Sequence, residues 1–396
     1  MKIVIATPIL FDKSSPFNHL FRDILEGLLK QGHEVTRIAA VENLRDQEYR
    51  MGLEYDTQCC VPVVRKKADH SNIITRYLLD TWTNLKMARQ IRKLTNQDVL
   101  FEDVSYSSWL SVWAAKKRGL RVVAMLQDVW PDNAVQSGLV REGSLLYRFF
   151  EGFQRYVYRK ADSLVCISDD MKAFIISKGV PSEKISVIYN WGYSDETVDI
   201  PWEENLFVKK YGLSEDIFYA VYAGNIGRMQ NVEIVVEAAK LLQDQNDIKF
   251  LIIGGGARRD AIASLIDRYG LKNVEMLPMQ PSELALHIYS AAGVNLVSLV
   301  KNGTRTAMPS KTGVILACGR PVIFTFGSDS QIGEILKNAN AGISVDANDP
   351  NRMVEEIVRI YAREADRTKV ILEVFWDRFC RSKNVQRYVS AISKEK

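Results

Sequence analysis

A chain of 396 residues exceeds one typical core, and since domains usually run about 100–200 residues, two are expected. Apolar residues at 47% and charged residues at 25% describe an ordinary globular protein, and a net charge of +4 argues against a dedicated nucleic-acid binder. Residues 1–190 hold 27 Lys and Arg against 22 Asp and Glu, and the remainder 25 against 26; this lean suits an anionic partner or membrane surface on the front half, or equally scattered surface lysines.

The five cysteines show no metal-ligand spacing, and the adjacent Cys59-Cys60 pair is badly placed for an ordinary disulfide, so a reducing compartment is expected. Four histidines scattered at 19, 33, 70 and 287 predict no metal cluster. No run approaches the roughly 18 apolar residues of a membrane-crossing helix, so any membrane contact is expected to be peripheral. Met1 to Phe11 has an apolar stretch without a small-residue cleavage site and reads as a first strand, not a leader.

Lys2 to Thr7 is a buried-type strand. After the polar loop Asp12 to Pro16, Phe17, Leu20, Phe21, Ile24, Leu25, Leu28 and Leu29 recur at helical spacing, and Val35 to Ala39 begins a second strand: a βαβ opening. Residues 40–70 lack periodicity apart from a strand at Val61 to Val64. A helix from about Asn72 to Lys93, a strand Val99 to Glu102, a helix Trp109 to Lys117 and a strand Arg121 to Leu126 follow. Asp128 and Asp132 thereby come at a strand's carboxyl end, where Asp128 is a candidate for an acceptor hydroxyl and, equally, for capping a turn. Gly143 to Lys160 is a helix crowded with Tyr147, Phe149, Phe150, Phe153, Tyr156 and Tyr158 among arginines, more apolar bulk than one buried stripe needs; a membrane interface or a lipid would use the surplus. Strands at Ser163 to Ile167 and Ile185 to Ile188 close this half, and Tyr189 to Glu204 reads as a linker.

Phe218 to Ala223 restarts the rhythm. Its loop, Gly224 to Asn231, carries two glycines that let backbone amides approach a ligand, and Arg228. The strand Lys249 to Ile253 ends in Gly254-Gly255-Gly256; Arg259 at the third-glycine position and Glu275 downstream make only a partial dinucleotide fingerprint, and admission of a base or ribose is the simpler reading. Strands at Asn273 to Leu277 and Gly293 to Val300 flank a helix Ser282 to Ala291. The stretch 307–323 then reads as loop, helix, stop and strand, with Ser310 as N-cap, Lys311 in the first turn, Gly319 as left-handed stop and Pro321 beyond it. A lysine beside the unpaired N–H groups of a helix start marks an anion site, and Arg228 as a fork with Lys311 as a point charge suits a diphosphate. A loop with Ser328, Asp329 and Ser330 precedes a helix bearing Glu334; after the strand Gly342 to Val345 come a helix at Pro350 and a final one from Val374 to Ser393. Two open parallel sheets joined by a linker predict a deep cleft between them, with no Asp-x-Asp pair to hold a metal.

Gly32-His33-Glu34-Val35, Gln127-Asp128-Val129-Trp130-Pro131, Tyr189-Asn190-Trp191, Ala223-Gly224-Asn225-Ile226-Gly227, Ile253-Gly254-Gly255-Gly256, Pro309-Ser310-Lys311 and Gly319-Arg320-Pro321-Val322-Ile323, in this order and spacing, resemble the GT-B glycosyltransferases. The likeness is to the retaining group called family 4, and within it to bacterial capsule, O-antigen and exopolysaccharide enzymes. It implies an α/β chain of two Rossmann-like domains facing across a deep cleft: residues 1–192 for the acceptor, joined by a C-terminal helix at about 374–393 that packs back, and 193–373 for the donor. By resemblance Arg228 and Lys311 bind the donor diphosphate and stabilise it as it leaves, and Asp128 is the third catalytic candidate, on the acceptor side. Gly224, Asn225, Gly227, Gly254, Gly255, Gly256, Thr306, Pro309 and Ser310 form the donor-side set. The family's two glutamates fall at Thr306 and Val314 and are absent here; the second usually holds the ribose, for which Glu334 is the substitute. Gln127 replaces a common histidine, and the loop around Ser14-Ser15 lacks the family's glycine pair.

The activity implied is a retaining, metal-independent transfer of a sugar, from a UDP-sugar, to a lipid-linked glycan in surface polysaccharide biosynthesis, with no cofactor. The place implied is the inner, cytoplasmic face of the cell membrane, with contact through 143–160. A sugar-nucleotide epimerase of the same fold and a non-catalytic nucleotide-sugar-binding partner are the alternatives: the first would change the sugar without an acceptor, the second would leave the donor intact.

Overall fold

The computed structural model describes residues 1–10, 18–41, 60–64, 73–192, 195–198, 200–327, 330–339, 342–362 and 368–394. The expected loop Asp12 to Pro16 with Ser14-Ser15, together with Cys59, His70, Ser328 and Asp329, lies outside them. The chain divides into two units, one of Met1–Tyr189 with Arg305–Met308 and Ser382–Lys396, the other of Asn190–Thr304 with Pro309–Arg381.

In the first unit, β1 (Lys2–Leu10), β2 (Glu34–Val41), β3 (Cys60–Val64), β4 (Val99–Asp103), β5 (Arg121–Leu126), β6 (Ser163–Cys166) and β7 (Ile185–Val187) form one parallel sheet in the order β3-β2-β1-β4-β5-β6-β7. The order reverses between β1 and β4, in register Ile3↔Val99 and Ala6↔Glu102. Helices α1 (Asn18–Lys30), α2 (Ile73–Lys93), α3 (Trp109–Lys117), α4 (Asp132–Gln136), α5 (Leu145–Lys160) and α6 (Asp169–Ser177) belong to this unit. Strands covered on both faces read as unbroken apolar runs, and Val99, Leu100, Phe101, Val122 and Val123 are fully buried accordingly. Pro62 is tolerated because β3 is an edge strand. Helix α5 starts on Ser144, whose hydroxyl accepts the Tyr147 amide, and carries Gly152 in its interior, a residue that costs about 1 kcal/mol there relative to alanine.

In the second unit, β8 (Phe218–Ala223), β9 (Ile248–Ile253), β10 (Val274–Leu277), β11 (Val294–Val297), β12 (Val322–Phe324) and β13 (Gly342–Ser344) form a parallel sheet in the order β10-β9-β8-β11-β12-β13. Its reversal lies between β8 and β11, in register Val221↔Asn295. The helices are α7 (Leu206–Tyr211), α8 (Glu233–Leu241), α9 (Arg259–Tyr269), α10 (Ala285–Ser290), α11 (Lys311–Ala317), α12 (Gln331–Asn338), α13 (Pro350–Tyr361) and α14 (Thr368–Val374). Tyr222, Val235, Phe250, Ile252 and Ile323 centre its core.

The single helix expected from Val374 to Ser393 is instead broken. A π-helical turn, Phe375–Phe379, follows α14, Cys380 is extended, and α15 (Arg381–Ser393) follows. One straight apolar stripe cannot serve two cores: Phe379 packs beside Gly313 in the second unit, whereas Tyr388, Val389 and Ile392 are buried in the first. Tyr388 meets Phe101 edge-on at 6.0 Å, and a Cβ at Gly27 of α1 would stand 2.7 Å from Val385 Cγ1, so that glycine is the notch that seats α15. Arg121 donates to the terminal carbonyls of Ala391 and Ile392, which the helix itself leaves unpaired.

Candidate active site

In an open parallel sheet, ligands meet the carboxyl ends of strands where the order reverses. In the second unit that point is the end of β8 and β11. Lys311, first residue of α11, extends so that its Nζ donates to the Ala223 carbonyl at 2.9 Å and lies 4.0 Å from the centre of the Tyr222 ring. Tyr222 is itself fixed by donating from its hydroxyl to the Asn225 carbonyl at 2.6 Å, and burial raises its pKa. Although Lys311 as a residue is only half-buried, its ammonium is enclosed, and among the described residues no carboxylate pairs with it; burial pushes it down to about 7. An ammonium held by one carbonyl and a ring face keeps donor capacity for an anion.

The neighbouring loops are tied together through backbone. The Gly224 amide donates to Ile253 O at 2.9 Å, the Ile226 amide to Gly255 O at 2.7 Å and the Arg258 amide to Ile226 O at 2.9 Å. Arg259 donates to the Gly254 and Leu277 carbonyls at 2.7 and 3.1 Å, which occupies the arginine at the third-glycine position. A Cβ on Gly254, at φ +152°, would fall 1.9 Å from Gly224 O, and one on Gly256 2.5 Å from Ile226 O; these glycines are required by the adjacent loop itself. Gly255 has open space around it, and Gly224 faces Lys311 Nζ. Gly227 lies against Asn225 and Gln230, whose side chains bond at 3.3 Å, and Arg228 stands exposed beside it, without an ion pair among the described residues. The Ser298 hydroxyl donates to Gln230 O at 2.5 Å and the Val300 amide to Met229 O at 2.8 Å, so the β8 and β11 loops hold each other.

Several expected residues have other surroundings. Ser310 stands at the N-cap position as expected, but its backbone is already helical and its hydroxyl caps no amide; its neighbour Pro309 accepts the Thr312 amide at 3.1 Å. Gly319 does provide the left-handed stop, at φ +63°. Val314 is buried, its Cγ2 3.5 Å from where a Cβ on Gly192 would stand. Glu334 is exposed in the first turn of α12, which leaves the carboxyl end of β12, and Glu275 is exposed on the edge strand β10.

Thr306 lies in the segment that belongs to the first unit. Its carbonyl accepts the Val129 amide at 2.9 Å, its hydroxyl donates to Gln136 at 2.5 Å, and Ala307 forms an antiparallel bridge with Asp128. Asp128 is exposed just beyond β5. Asp103, at the end of β4, was not foreseen. It accepts from Thr7 at 3.4 Å, and its burial, with Asp128 nearby, pushes its carboxyl up to about 7. A polar residue directly after the strand Val99 to Glu102 was the available signal; for Tyr222 it was an aromatic just before a glycine-bearing loop. Burial holds the carboxyl of Glu102, wholly buried, well above the usual carboxylate range. Asp132 is taken by Lys178 at 2.9 Å and by the Tyr147 hydroxyl at 2.9 Å. Among the described residues no cluster of His, Cys, Asp or Glu is built to hold a metal, and no helix is long and apolar enough to cross a membrane.

Known proteins divide along the same line. The model of Glycosyltransferase Family 4 matches residues 18–191 and that of Glycosyl transferases group 1 matches 203–373. The chain belongs to the family 4-like glycosyltransferases of the GT-B fold, two parallel-sheet Rossmann-like domains. Relatives include a probable glycosyltransferase WbjE of Pseudomonas aeruginosa, 27% identical over 61% of each chain. Another is the putative colanic acid biosynthesis glycosyl transferase WcaI of Escherichia coli, 27% identical over 56% of this chain and 55% of that one. The chain thus spans less than two thirds of these relatives' length. By fold it matches Anabaena HepE, solved in complex with UDP, at TM-score 0.72 and 13% identity over all of both chains. It matches WaaG, a glycosyltransferase involved in lipopolysaccharide biosynthesis, at TM-score 0.72 and 14% identity over 99% and 100%.

Proposed function

We propose that this chain is a retaining glycosyltransferase that moves a sugar from a UDP-sugar onto a lipid-linked glycan during surface polysaccharide assembly, at the inner face of the cell membrane. The observation that carries the reading is the enclosed Lys311 ammonium at the reversal point of the second sheet, against Tyr222 and Ala223 and facing Gly224. Support comes from the UDP held by HepE and the colanic acid role named for WcaI. Lys311 and the exposed Arg228 neutralise the diphosphate, the part a metal plays elsewhere, so no metal or cofactor is needed. The acceptor oxygen bonds to the sugar's anomeric carbon on the face from which the phosphate oxygen leaves. The bond between the anomeric carbon and the donor's phosphate oxygen breaks, its electron pair goes to that phosphate oxygen, and the same oxygen takes the acceptor hydroxyl's proton; Asp128 binds the acceptor. Helix α5, with Leu145, Leu146 and Phe149 exposed, rests on the membrane.

Saturation-transfer NMR against UDP-, GDP- and dTDP-sugars tests the donor. Lys311→Ala and Arg228→Ala should each weaken binding by about tenfold to a hundredfold, as loss of a charge-assisted contact does. Unchanged binding in both variants would remove the anion site. The buried Val314, in place of a ribose-binding glutamate, favours one further reading: a partner that binds the donor without consuming it, distinguished by an intact donor when a lipid-linked acceptor extract is supplied.

A further inference from the structure

On the flank of the first unit, α3 and α5 border a groove of about 410 Å³ that is open to solvent along its length. Trp109 and Trp113 line one side, Phe149, Phe153 and Tyr156 the other, and Trp109 stacks on Phe153 with ring centres 4.9 Å apart and planes at 7°. Gly152 lines it too, on the α5 side. Its backbone is not left-handed, and a Cβ there would meet nothing within 4 Å, so neither conformation nor crowding requires glycine in the middle of this helix. The consequence of the missing side chain is the open groove.

Cations rim it. Arg159 lines one end, the Arg92 guanidinium lies 5.6 Å from the centre of the Trp113 ring, and Lys160 is exposed on the last turn of α5. The nearest acid along α5, Glu151, is engaged by Arg155 at 3.2 Å and Lys178 at 3.5 Å. Rings flanking a channel and guanidinium groups at its rim complement a hydrocarbon chain that carries a phosphate. Leu145 and Leu146, in the first turn of the same helix, are exposed as well.

We infer that this groove holds one acyl chain of an anionic phospholipid drawn from the bilayer surface, with the phosphate on Arg159. The inference rests on the membrane contact proposed above and gives it a specific ligand; its test uses no acceptor, so it fails or stands separately from the transferase reading.

Dihexanoyl phosphatidylglycerol, titrated into the full chain below its micelle concentration and followed by tryptophan fluorescence, should bind saturably. Gly152→Leu, which fills the channel and favours the helix, should weaken that binding by about tenfold or more while UDP-sugar binding stays unchanged. Arg159→Gln should erase the preference for phosphatidylglycerol over phosphatidylcholine. Equal lipid binding by Gly152→Leu and wild type would overturn the groove in favour of flat insertion, and no preference between the two headgroups in wild type would overturn the phosphate contact. Gly152-dependent binding of farnesyl phosphate without binding of phosphatidylglycerol would overturn the bilayer source and assign the groove to an acceptor's chain.

Discussion

The Lys311 ammonium rests 4.0 Å over the ring of Tyr222, and burial holds it near the midpoint of its titration at neutral pH, at about 7. A diphosphate placed beside it favours the charged form, so binding takes up a proton above pH 7. Donor affinity should be full below pH 7 and fall as pH rises above it, approaching tenfold per pH unit until the raised pKa of the complex is reached. Calorimetry in buffers of different ionisation enthalpy measures that proton. Lys311→Arg should bind with little dependence between pH 7 and 9; the same flat profile in wild type would remove the buried amine from the donor site.

The three consecutive glycines after β9 should separate into two roles. Gly254→Ala places a Cβ 1.9 Å from Gly224 O at a φ of +152°, and should cost roughly 2–4 kcal/mol in urea unfolding. Gly255→Ala meets open space and should leave stability within about 0.5 kcal/mol while weakening nucleotide-sugar binding, if the backbone there approaches a ligand. Unchanged binding by the stable variant would give the run a role in loop packing alone.

Restoring the family glutamates should not restore a ribose contact. Val314 is packed against Gly192 and Thr306 is fully buried, so Val314→Glu and Thr306→Glu place a carboxylate among groups that cannot solvate it. Each should lower stability by about 2 kcal/mol or more, read by thermal unfolding, without tightening donor binding. Tighter binding by Val314→Glu would show that the helix can present this position to a ligand.

Asp103 supplies a stability signature. Burial and Asp128 raise its carboxyl from 3.8 in the unfolded chain to about 7 in the fold, so the native state holds the extra proton between those values. Stability should therefore fall as pH rises from about 4 to 7, by an amount of order 4 kcal/mol at about 1.36 kcal/mol per unit. Asp103→Asn should flatten that decline and raise stability at pH 7.5. A decline of equal size in the variant would place the titration elsewhere.

Most of the fold was legible because its signals are local. Apolar runs of strand length alternating with helical periodicity return β5, β8, α3 and α5 nearly residue for residue and the start of β1, and Gly319 with Pro321 marks the end of α11. The last helix was misread because periodicity cannot tell which core a residue serves: Phe375 and Phe379 join one unit and Tyr388 the other, and the break at Cys380 lies between them. Charge and glycine placement also pointed to Lys311, Arg228 and the β8 and β9 loops, since a cation and a backbone without side chains are properties of the residues themselves.

The rest depends on contacts far apart in the chain. Tyr222 becomes the support of Lys311 only because β8 and β11 are neighbours in the sheet. Ser310 makes no capping bond because its backbone is already helical, and Val314 is buried beside Gly192. Gly254 and Gly256 answer to the loop beside them, and Gly152 to a groove formed with another helix. Composition and periodicity determine which segments must be strands or helices, because those depend on each residue's own apolar surface and backbone freedom. Which side chains end in contact, and hence which charges are enclosed or left open to a ligand, is set by strand order and loop packing, and only the tertiary structure decides it.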